Sequence, residues 1–344
     1  MKRLRKIIIS VVFISLVLGT LVPVSYTLRA VEINTKGFNY KELRRRIAGF
    51  YAEPDDSVDV VVIGSSAVYR FVNNPYLWEQ EQVTSYNYSF PSCSIYLIED
   101  LIDEVKKTQS PKVIILDARK YIMTDHGSVV KDSAQLILKN MKYTDARYRI
   151  VNRVYDDPVD RFSNYFDISI YHSKWQKVTW QTLDYADNER QDPMKGWHNI
   201  KEVKDVQEII VPEVTEEKPL NEDAEVALRS VLEKCQEEDI TVLMLNTPWK
   251  MDEEFQKESN YMKRIVEEYG FNYLDMNPLK DEMGLDFSTD YYDRKHVNVW
   301  GSEKVTKYLG EYLTSHYDLE SDHNEEIVES WNSAVKHYRK DLEE

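Results

Sequence analysis

Two adjacent serines end an apolar run in the segment DVVVIGSSAVYR, residues 59–70. A serine hydroxyl becomes an effective nucleophile only when a neighbouring base removes its proton, and that base needs an orienting group in turn. The same hydroxyls could instead cap the helix that follows the turn. The segment alone leaves both interpretations open, because the base and the orienting acid must come from elsewhere in the chain.

A candidate base and a candidate acid lie together near the end of the chain, in STDYYDRKHVNVWG, residues 288–301. Asp293 and His296 are three residues apart. In a tight turn the Asp293 carboxylate can accept a hydrogen bond from Nδ1 of His296, which leaves Nε2 to face a serine hydroxyl. Taken alone the pair is a weak signal, since an Asp/His turn can also cap the next helix.

The elements that must position these residues are alternating strands and helices. Residues 58–63 and 111–118 are apolar runs typical of strands buried on both faces, and further strands are predicted at 85–90, in ITVLMLNTP and in FNYLDM. This alternation predicts the α/β class, a three-layer sandwich with a central parallel sheet. Active residues in such sheets collect beyond the carboxyl ends of the strands, where Gly-Ser-Ser falls.

The two motifs together, in one α/β chain, resemble the SGNH/GDSL hydrolase superfamily, and the resemblance spans about residues 59–315 apart from an aromatic-rich insertion at 147–225. The first block of that superfamily is Gly-Asp-Ser, and here it reads Gly64-Ser65-Ser66. Ser66 therefore matches the nucleophile, and Ser65 replaces the aspartate. The last block matches at Asp293 and His296. The resemblance implies a Ser66–His296–Asp293 triad that acts on esters and uses no metal and no cofactor.

The second and third blocks of this sequence differ more from the superfamily pattern. The second block reads NYSFPS, residues 87–92, which places Ser92 where a glycine would offer its N–H to the oxyanion. The third block, Gly-x-Asn-Asp, is replaced by DARKY, residues 117–121, which has no matching asparagine. The predicted oxyanion donors are the backbone N–H groups of Ser66, Ser92 and Arg119.

Other polar and aromatic residues, some near the same sheet edge and some in the aromatic-rich stretch 147–225, have a functional and a structural interpretation. Asn246 and Trp249 follow a strand and could touch the substrate, whereas Asp117 at a strand end is more typical of a cap. Two pairs of residues could line a sugar-binding groove or form a small core of their own: His172 with Trp175, and Trp197 with His198.

The amino terminus has the features of a membrane anchor. Residues 7–28 carry no charge, a length that crosses a bilayer as a helix. Four cations precede this stretch and only Arg29 closely follows it, which predicts a cytoplasmic amino end and an exported remainder. A cleaved signal peptide is the alternative, but its apolar region is usually shorter and the only cleavage motif, at residues 28–30, is poor.

Composition excludes some functions. The chain has 60 acidic and 44 basic residues, a net charge of −16, which argues against a nucleic-acid partner. Its two cysteines, Cys93 and Cys235, do not form a disulfide framework, and two free buried thiols are the favoured interpretation. The histidines are scattered, and no Cys/His cluster suggests a metal site.

The predicted organisation has seven segments. They are a cytoplasmic end (1–6), an anchor (7–28), a juxtamembrane linker (29–57), the first half of the catalytic domain (58–146), an aromatic-rich insertion (147–225), the second half (226–315) and a charged C-terminal helix (316–344).

A narrower resemblance suggests the biological setting. The chain is similar to extracytoplasmic SGNH-like proteins that serve beside membrane-bound O-acyltransferases. It shares with them an N-terminal anchor, a GSS-type first block and an aromatic-rich insertion. The teichoic-acid D-alanyl-transfer protein is a more distant relative. The resemblance implies a serine esterase or O-acyltransferase acting on acyl, chiefly acetyl, groups of a cell-surface glycan, with such an acyltransferase as a partner. The alternative is an inactive glycan-binding or scaffold protein that keeps the fold.

Overall fold

Five short apolar runs form one parallel sheet with the strand order β2-β1-β3-β4-β5. The strands are β1 (Val60–Ile63), β2 (Ser85–Asn87), β3 (Val113–Asp117), β4 (Val242–Asn246) and β5 (Asn272–Asp275). All residues of β1, β3 and β4 are buried, as expected of strands covered on both faces. The predicted α/β class with a central parallel sheet is confirmed.

The structure is a computed structural model that describes residues 2–35, 38–124, 131–180, 182–183, 190–206, 214–249, 251–319 and 322–344. Its helices before the sheet are α1 (Lys2–Thr35) and α2 (Phe38–Phe50). Those up to β3 are α3 (Ser66–Tyr69), α4 (Asn74–Glu81) and α5 (Ile98–Val105). Between β3 and β4 lie α6 (Arg119–Ile122), α7 (Lys131–Asn140), α8 (Asp145–Val154), α9 (Pro158–Tyr165), α10 (Ile168–Tyr171) and α11 (Glu222–Glu237).

The remaining elements follow β4. They are α12 (Glu253–Glu268), α13 (Lys280–Met283), the two-stranded antiparallel pair β6 (Tyr291–Asp293) and β7 (His296–Val297), α14 (Val299–His316) and α15 (Glu325–Glu343). Two 3₁₀ turns, Ile95–Leu97 and His172–Lys177, precede α5 and follow α10.

The main core lies on one face of the sheet. Alternate residues of β1, β3 and β4 pack there against one stripe of α14, formed by Val305, Leu309 and Leu313. These positions are spaced four residues apart, so that they share one side of the helix. This packing holds α14, and therefore the β6–β7 turn immediately before it, beside the sheet.

The described chain divides into two compact units. The first comprises residues 1–45 and 138–190, and the second comprises residues 46–137 and 191–344. The division cuts across the predicted insertion, because residues 147–190 belong with the N-terminal helix, whereas 191–225 belong with the sheet. This stretch has no periodic sequence pattern, and its bounds as an insertion stay a prediction.

A buried ion cluster organises the first unit. Arg29, near the C-terminal end of α1, donates from Nε to Asp167 at 2.5 Å, and Arg147 donates to the same carboxylate at 3.2 Å. Tyr143 Oη donates to it at 2.9 Å. Three donors replace the water that the Asp167 carboxylate loses on burial. The cluster therefore links α1 to the helices around Asp167.

The C-terminal helix α15 belongs to the second unit. Trp331 is fully buried and its ring lies 5.8 Å from that of Trp78 on α4. His323, just before α15, contacts the carboxylate of Asp59 at 2.7 Å. Cys93 and Cys235 are both buried and free.

Candidate active site

The turn after β1 is shaped by a carboxylate from the neighbouring strand. Asp117, the last residue of β3, accepts hydrogen bonds from Ser65 N–H at 3.0 Å and from Ser65 Oγ at 2.5 Å. Asp117 also explains Gly64, since a Cβ at that position would lie 2.3 Å from the Asp117 Cβ. Asp117 thus acts as a cap, as expected, and what it caps is the Gly-Ser-Ser turn that follows the neighbouring strand β1.

Ser65 and Ser66 have different roles in this turn. Ser65 is the N-cap of α3, and its Oγ accepts from Ala67 N–H at 3.2 Å. The Ser65 hydroxyl already donates its proton to Asp117 and accepts from Ala67 N–H, so it is not available to a base. Ser66 is the first residue of α3 and is partly exposed, so its hydroxyl faces the sheet edge.

Asp293 and His296 face each other across the β6–β7 turn. They are a directly paired position of the antiparallel ladder, and Lys295 N–H donates to Asp293 Oδ1 at 2.7 Å. Asn298 then caps α14 by accepting from the N–H groups of Trp300 and Gly301. Asn298 is therefore the N-cap of α14, and the Asp293 carboxylate, which does not cap this helix, pairs with His296.

The three predicted residues are brought together in one chain of hydrogen bonds. Nδ1 of His296 lies 2.9 Å from both carboxylate oxygens of Asp293, and Nε2 lies 2.9 Å from Ser66 Oγ. An ionised carboxylate can only accept, so Nδ1 carries the proton and Nε2 accepts from the serine hydroxyl. This arrangement can move a proton from Ser66 to His296.

The charges around this chain favour a neutral imidazole. Burial lowers the pKa of His296 most strongly, the hydrogen bond to Asp293 raises it, and the charges of Arg119 and Arg70 lower it, so that it lies below its usual value of 6.5. Burial by itself would raise the pKa of Asp293, but the interaction with His296, together with the Lys295 N–H and the charge of Arg70, outweighs it and brings that pKa to about 2. A neutral histidine beside an ionised aspartate is the state that can accept a serine proton.

Arg70 lies one helical turn after Ser66 and was not singled out by the sequence analysis. Its guanidinium carbon lies 5.5 Å from the ring centroid of Tyr292, the neighbour of Asp293. The spacing of four residues from Ser66 places both residues on one side of the same turn. In the sequence, this four-residue spacing from Ser66 is the feature by which Arg70 could have been predicted to lie near the site.

Arg119 contributes its side chain to the site. Its buried guanidinium donates to Lys295 O at 2.7 Å and lies 5.5 Å from the ring centroids of Phe71 and Trp249. Burial lowers the pKa of Arg119 to about 10, so the group is still charged at neutral pH. Arg119 therefore supports the backbone between Asp293 and His296, whereas its sequence-based role was a backbone donor.

Ser92 lies on a loop tied to the serine turn. Phe90 N–H donates to Gly64 O at 3.0 Å, and Ser89 Oγ donates to Val62 O at 2.9 Å. Ser92 is exposed with a φ of 51°, a conformation that favours glycine, which is the residue at this position in the superfamily block. Within the described residues, the N–H of Ser92 donates to no acceptor. Its role as an oxyanion donor stays a prediction.

The two predicted substrate-contacting residues are buried. Asn246 donates from its side-chain amide to Ser259 Oγ at 3.2 Å, in a polar network that continues to Tyr273 and Asp275. Trp249 packs on Arg119 and lies 5.2 Å from the Phe255 ring. Among the described residues, neither Trp249 nor Asn246 makes a hydrogen bond or ring contact with Ser66, His296 or Asp293, and Trp249 contacts Arg119 instead.

The two aromatic pairs of the sequence analysis lie in different units. Trp197 is buried against Tyr338, its Nε1 donates to Arg70 O at 3.3 Å, and His198 N–H donates to Tyr69 O at 3.0 Å. Trp197 is therefore a core residue behind the serine helix. His172 and Trp175 are exposed in the first unit. Among the described residues, no group of three His, Cys, Asp or Glu side chains could hold a metal ion.

The first testable consequence concerns Ser65. We expect Ser65→Ala to leave ester turnover almost unchanged and to lower the free energy of unfolding by about 1–3 kcal/mol, because a cap is lost and Asp117 loses a donor. Urea denaturation and a turnover assay measure both effects. Ser94→Ala is the matched control, since Ser94 is a buried N-cap whose side chain makes no capping hydrogen bond. Equal losses of turnover in Ser65→Ala and Ser66→Ala would mean that the nucleophile is wrongly assigned.

The second consequence concerns pH. Since His296 must be neutral to accept a proton and its pKa is lowered, the acid limb of kcat/KM should lie below pH 6.5. Arg70→Gln removes a positive charge that disfavours imidazolium, so the limb should move to higher pH. Profiles of kcat/KM against pH measure this. Arg294→Gln is the control, because Arg294 is exposed on the same turn and water screens its charge. A limb that does not move in Arg70→Gln contradicts the assignment.

Comparisons with known proteins give only remote similarity. No family model matches the sequence, and no curated protein matches it. The acetylxylan esterase Axe2 from Geobacillus stearothermophilus is similar with a TM-score of 0.38 and 10% identity, covering 78% of this chain and 99% of that chain. A protein assigned as a GDSL-like lipase, from Parabacteroides merdae ATCC 43184, is similar with a TM-score of 0.35 and 9% identity, covering 83% and 98%. At this distance, conclusions about function depend on the geometry of the site.

Proposed function

We propose that the protein is an SGNH-type serine ester hydrolase or O-acyltransferase, anchored in the membrane and acting on acyl groups, chiefly acetyl, of a cell-surface glycan. The observation that carries this proposal is the continuous hydrogen-bond chain from Asp293 through His296 to Ser66. A chain of this kind activates a hydroxyl that is otherwise a weak nucleophile.

The first half of the reaction forms an acyl-enzyme. Ser66 Oγ attacks the ester carbonyl while His296 Nε2 takes its proton, and the carbonyl oxygen becomes an oxyanion. The N–H groups of Ser66 and Ser92 are the proposed donors to this oxyanion. When the tetrahedral intermediate collapses, His296 returns its proton to the leaving sugar oxygen. Asp293 keeps Nδ1 protonated and stabilises the imidazolium between the two transfers.

The second half releases the acyl group. His296 takes a proton from an incoming hydroxyl while the oxygen of that hydroxyl attacks the acyl-serine carbonyl. When the ester bond to Ser66 breaks, His296 returns the proton to Ser66 Oγ. Water as the incoming group gives hydrolysis, and a sugar hydroxyl gives transfer. A membrane position beside a membrane-bound O-acyltransferase favours transfer, since the donor and the acceptor would both be held at the cell surface.

The helix α1 supports the proposed anchoring. Among the described residues, one helix is long and apolar enough to cross a bilayer, and its apolar side chains between residues 7 and 24 are largely exposed. The excess of cations before it favours a cytoplasmic amino end and an extracytoplasmic catalytic unit. Protease added to intact protoplasts should digest the catalytic unit, and full protection would overturn this orientation.

An alternative is that the fold has become an inactive glycan-binding partner. The replaced third block is the feature that favours it, because a lost oxyanion donor typically costs about 10²–10³ in rate. The intact geometry of Ser66, His296 and Asp293 argues against it. A relic site has no reason to keep these distances.

The proposed function is tested with the full-length chain in detergent or nanodiscs and an acetylated surface polysaccharide. Release of acetate by the unmodified chain, its loss in Ser66→Ala and its retention in Ser65→Ala would support the proposal. A second arm adds a glycan free of acetyl groups and follows transfer of labelled acetyl to it. No release and no transfer by the unmodified chain would contradict an enzyme of this class on these substrates.

A further inference from the structure

We propose that the segment 168–180, which contains α10 and the 3₁₀ turn after it, lies in the headgroup region of the membrane and binds lipid through Trp175 and Trp180. This would be a second membrane contact beside the spanning helix. The inference rests on the proposed anchoring of α1 and is independent of the chemistry at Ser66.

The height of this segment relative to α1 is set by contacts inside the first unit. Ile168 N–H donates to Ser25 Oγ at 3.1 Å, and Ser25 is three residues before the end of the apolar stretch 7–28. Three residues correspond to about 4.5 Å along a helix axis. Asp167, directly before the segment, holds Arg29 just beyond that stretch. The segment therefore begins at the boundary between the hydrocarbon core and the headgroups.

The side chains of this segment are unusually exposed for their type. The exposed fractions are 66% for Trp175, 86% for Trp180 and 41% for Ile170. Tyr171, between them, is buried, so the segment is held in place while its large apolar groups face outward. Exposed clusters of large apolar side chains mark surfaces that another phase or partner covers.

Charge and residue type favour lipid as the occupant. Residues 168–180 contain no Asp or Glu, although 60 of the 344 residues of the chain are acidic. Their charged side chains are Lys174 and Lys177, which attract anionic headgroups. Tryptophan has an apolar ring and a polar N–H, which is why it is enriched at bilayer interfaces. The surface is also continuous with α1, whose apolar side chains are exposed along the proposed span.

The experiment measures tryptophan quenching by lipid. The full-length chain is placed in nanodiscs of phosphatidylglycerol and phosphatidylcholine, with bromine either absent or attached to the acyl chains near the headgroups. Of the seven tryptophans, Trp78, Trp197, Trp249 and Trp331 are buried, whereas Trp175, Trp180 and Trp300 are exposed. We expect bromolipid to quench the unmodified chain, and the double variant Trp175→Phe/Trp180→Phe to lose that quenching.

Trp300→Phe is the matched control, since Trp300 is 44% exposed on α14 in the other unit. This variant should keep the quenching by bromolipid and lose part of the quenching by aqueous acrylamide. Two results would overturn the inference: no quenching by bromolipid in the unmodified chain, or the same quenching in the double variant. Quenching of Trp175 and Trp180 by acrylamide but not by bromolipid would place them in water and would also overturn the inference. A chain that does not elute with the discs would instead overturn the anchoring, and acetate release by that chain would still test Ser66 separately.

Discussion

Ser66→Ala is expected to lower kcat/KM for p-nitrophenyl acetate by about 10⁴–10⁶-fold, because alanine removes the hydroxyl that His296 Nε2 contacts and would activate. His296→Ala should cause a loss of the same order, since the Ser66 hydroxyl then has no base. Residues that act as one unit do not have additive effects. The double variant should therefore be no slower than either single variant.

Initial rates over a range of substrate concentrations measure these losses, with circular dichroism to confirm the fold of each variant. Ser65→Ala is the matched control, since it changes the adjacent hydroxyl. Multiplied effects in the double variant would contradict a shared step. A loss of less than about tenfold in Ser66→Ala would show that another group attacks the ester.

Asp293→Asn is expected to lower turnover by about 10²–10³-fold with little change in stability. Asparagine can cap a turn as well as aspartate does, but its amide lacks the charge that stabilises imidazolium and does not enforce the proton on Nδ1. In the serine-protease case the equivalent change costs about 10⁴. The side chain of Asp293 is 40% exposed, so water can take over part of the role and the loss should be smaller.

Asp286→Asn is the control for this variant. Asp286 lies on the loop before β6, is exposed, and accepts hydrogen bonds from Ser288, and none of its described hydrogen bonds involves the triad. Turnover in Asp286→Asn should be close to that of the unmodified chain. Near-normal turnover in Asp293→Asn, with an unchanged melting temperature, would mean that the carboxylate only shapes the turn.

Much of the scaffold could be predicted because its signals are local. Strands buried on both faces appear as unbroken apolar runs, and alternating helices between them leave a parallel sheet as the simplest arrangement. The two ends of the site were also accessible to sequence reasoning. Ser66 follows a strand directly, and Asp293 and His296 are close enough in the chain for one turn to pair them.

The supporting contacts of the site could not be predicted, since they join distant parts of the chain. The bond from Arg119 to Lys295 O spans 176 residues, and the bond from Ser65 to Asp117 spans 52. Neither pair has a spacing that marks it, because both depend on which strands become neighbours. The resemblance to the superfamily directed attention to the backbone N–H of Arg119, whereas the side chain makes the described contact.

Burial was the second limit of the sequence reasoning. Asn246 ends β4 and Trp249 follows it at the predicted sheet edge. Both are nevertheless buried, because Ser259 and Phe255 of α12 contact them in the interior. The position of a residue at a strand end predicts the edge of the sheet but not what covers it. In the insertion, aromatic residues without a period predicted neither the division into two units nor the outward-facing Trp175 and Trp180.

The activated state of Ser66 is the central claim, and a fluorophosphonate probe tests it most directly, since this reagent modifies a serine only when a base has activated it. The full-length chain is incubated with the probe, digested and examined by mass spectrometry. We predict one phosphonylated serine, Ser66, in the unmodified chain and in Ser65→Ala, and no adduct in His296→Ala. An unmodified Ser66 in the folded native chain, or an adduct that forms equally without His296, would contradict the account.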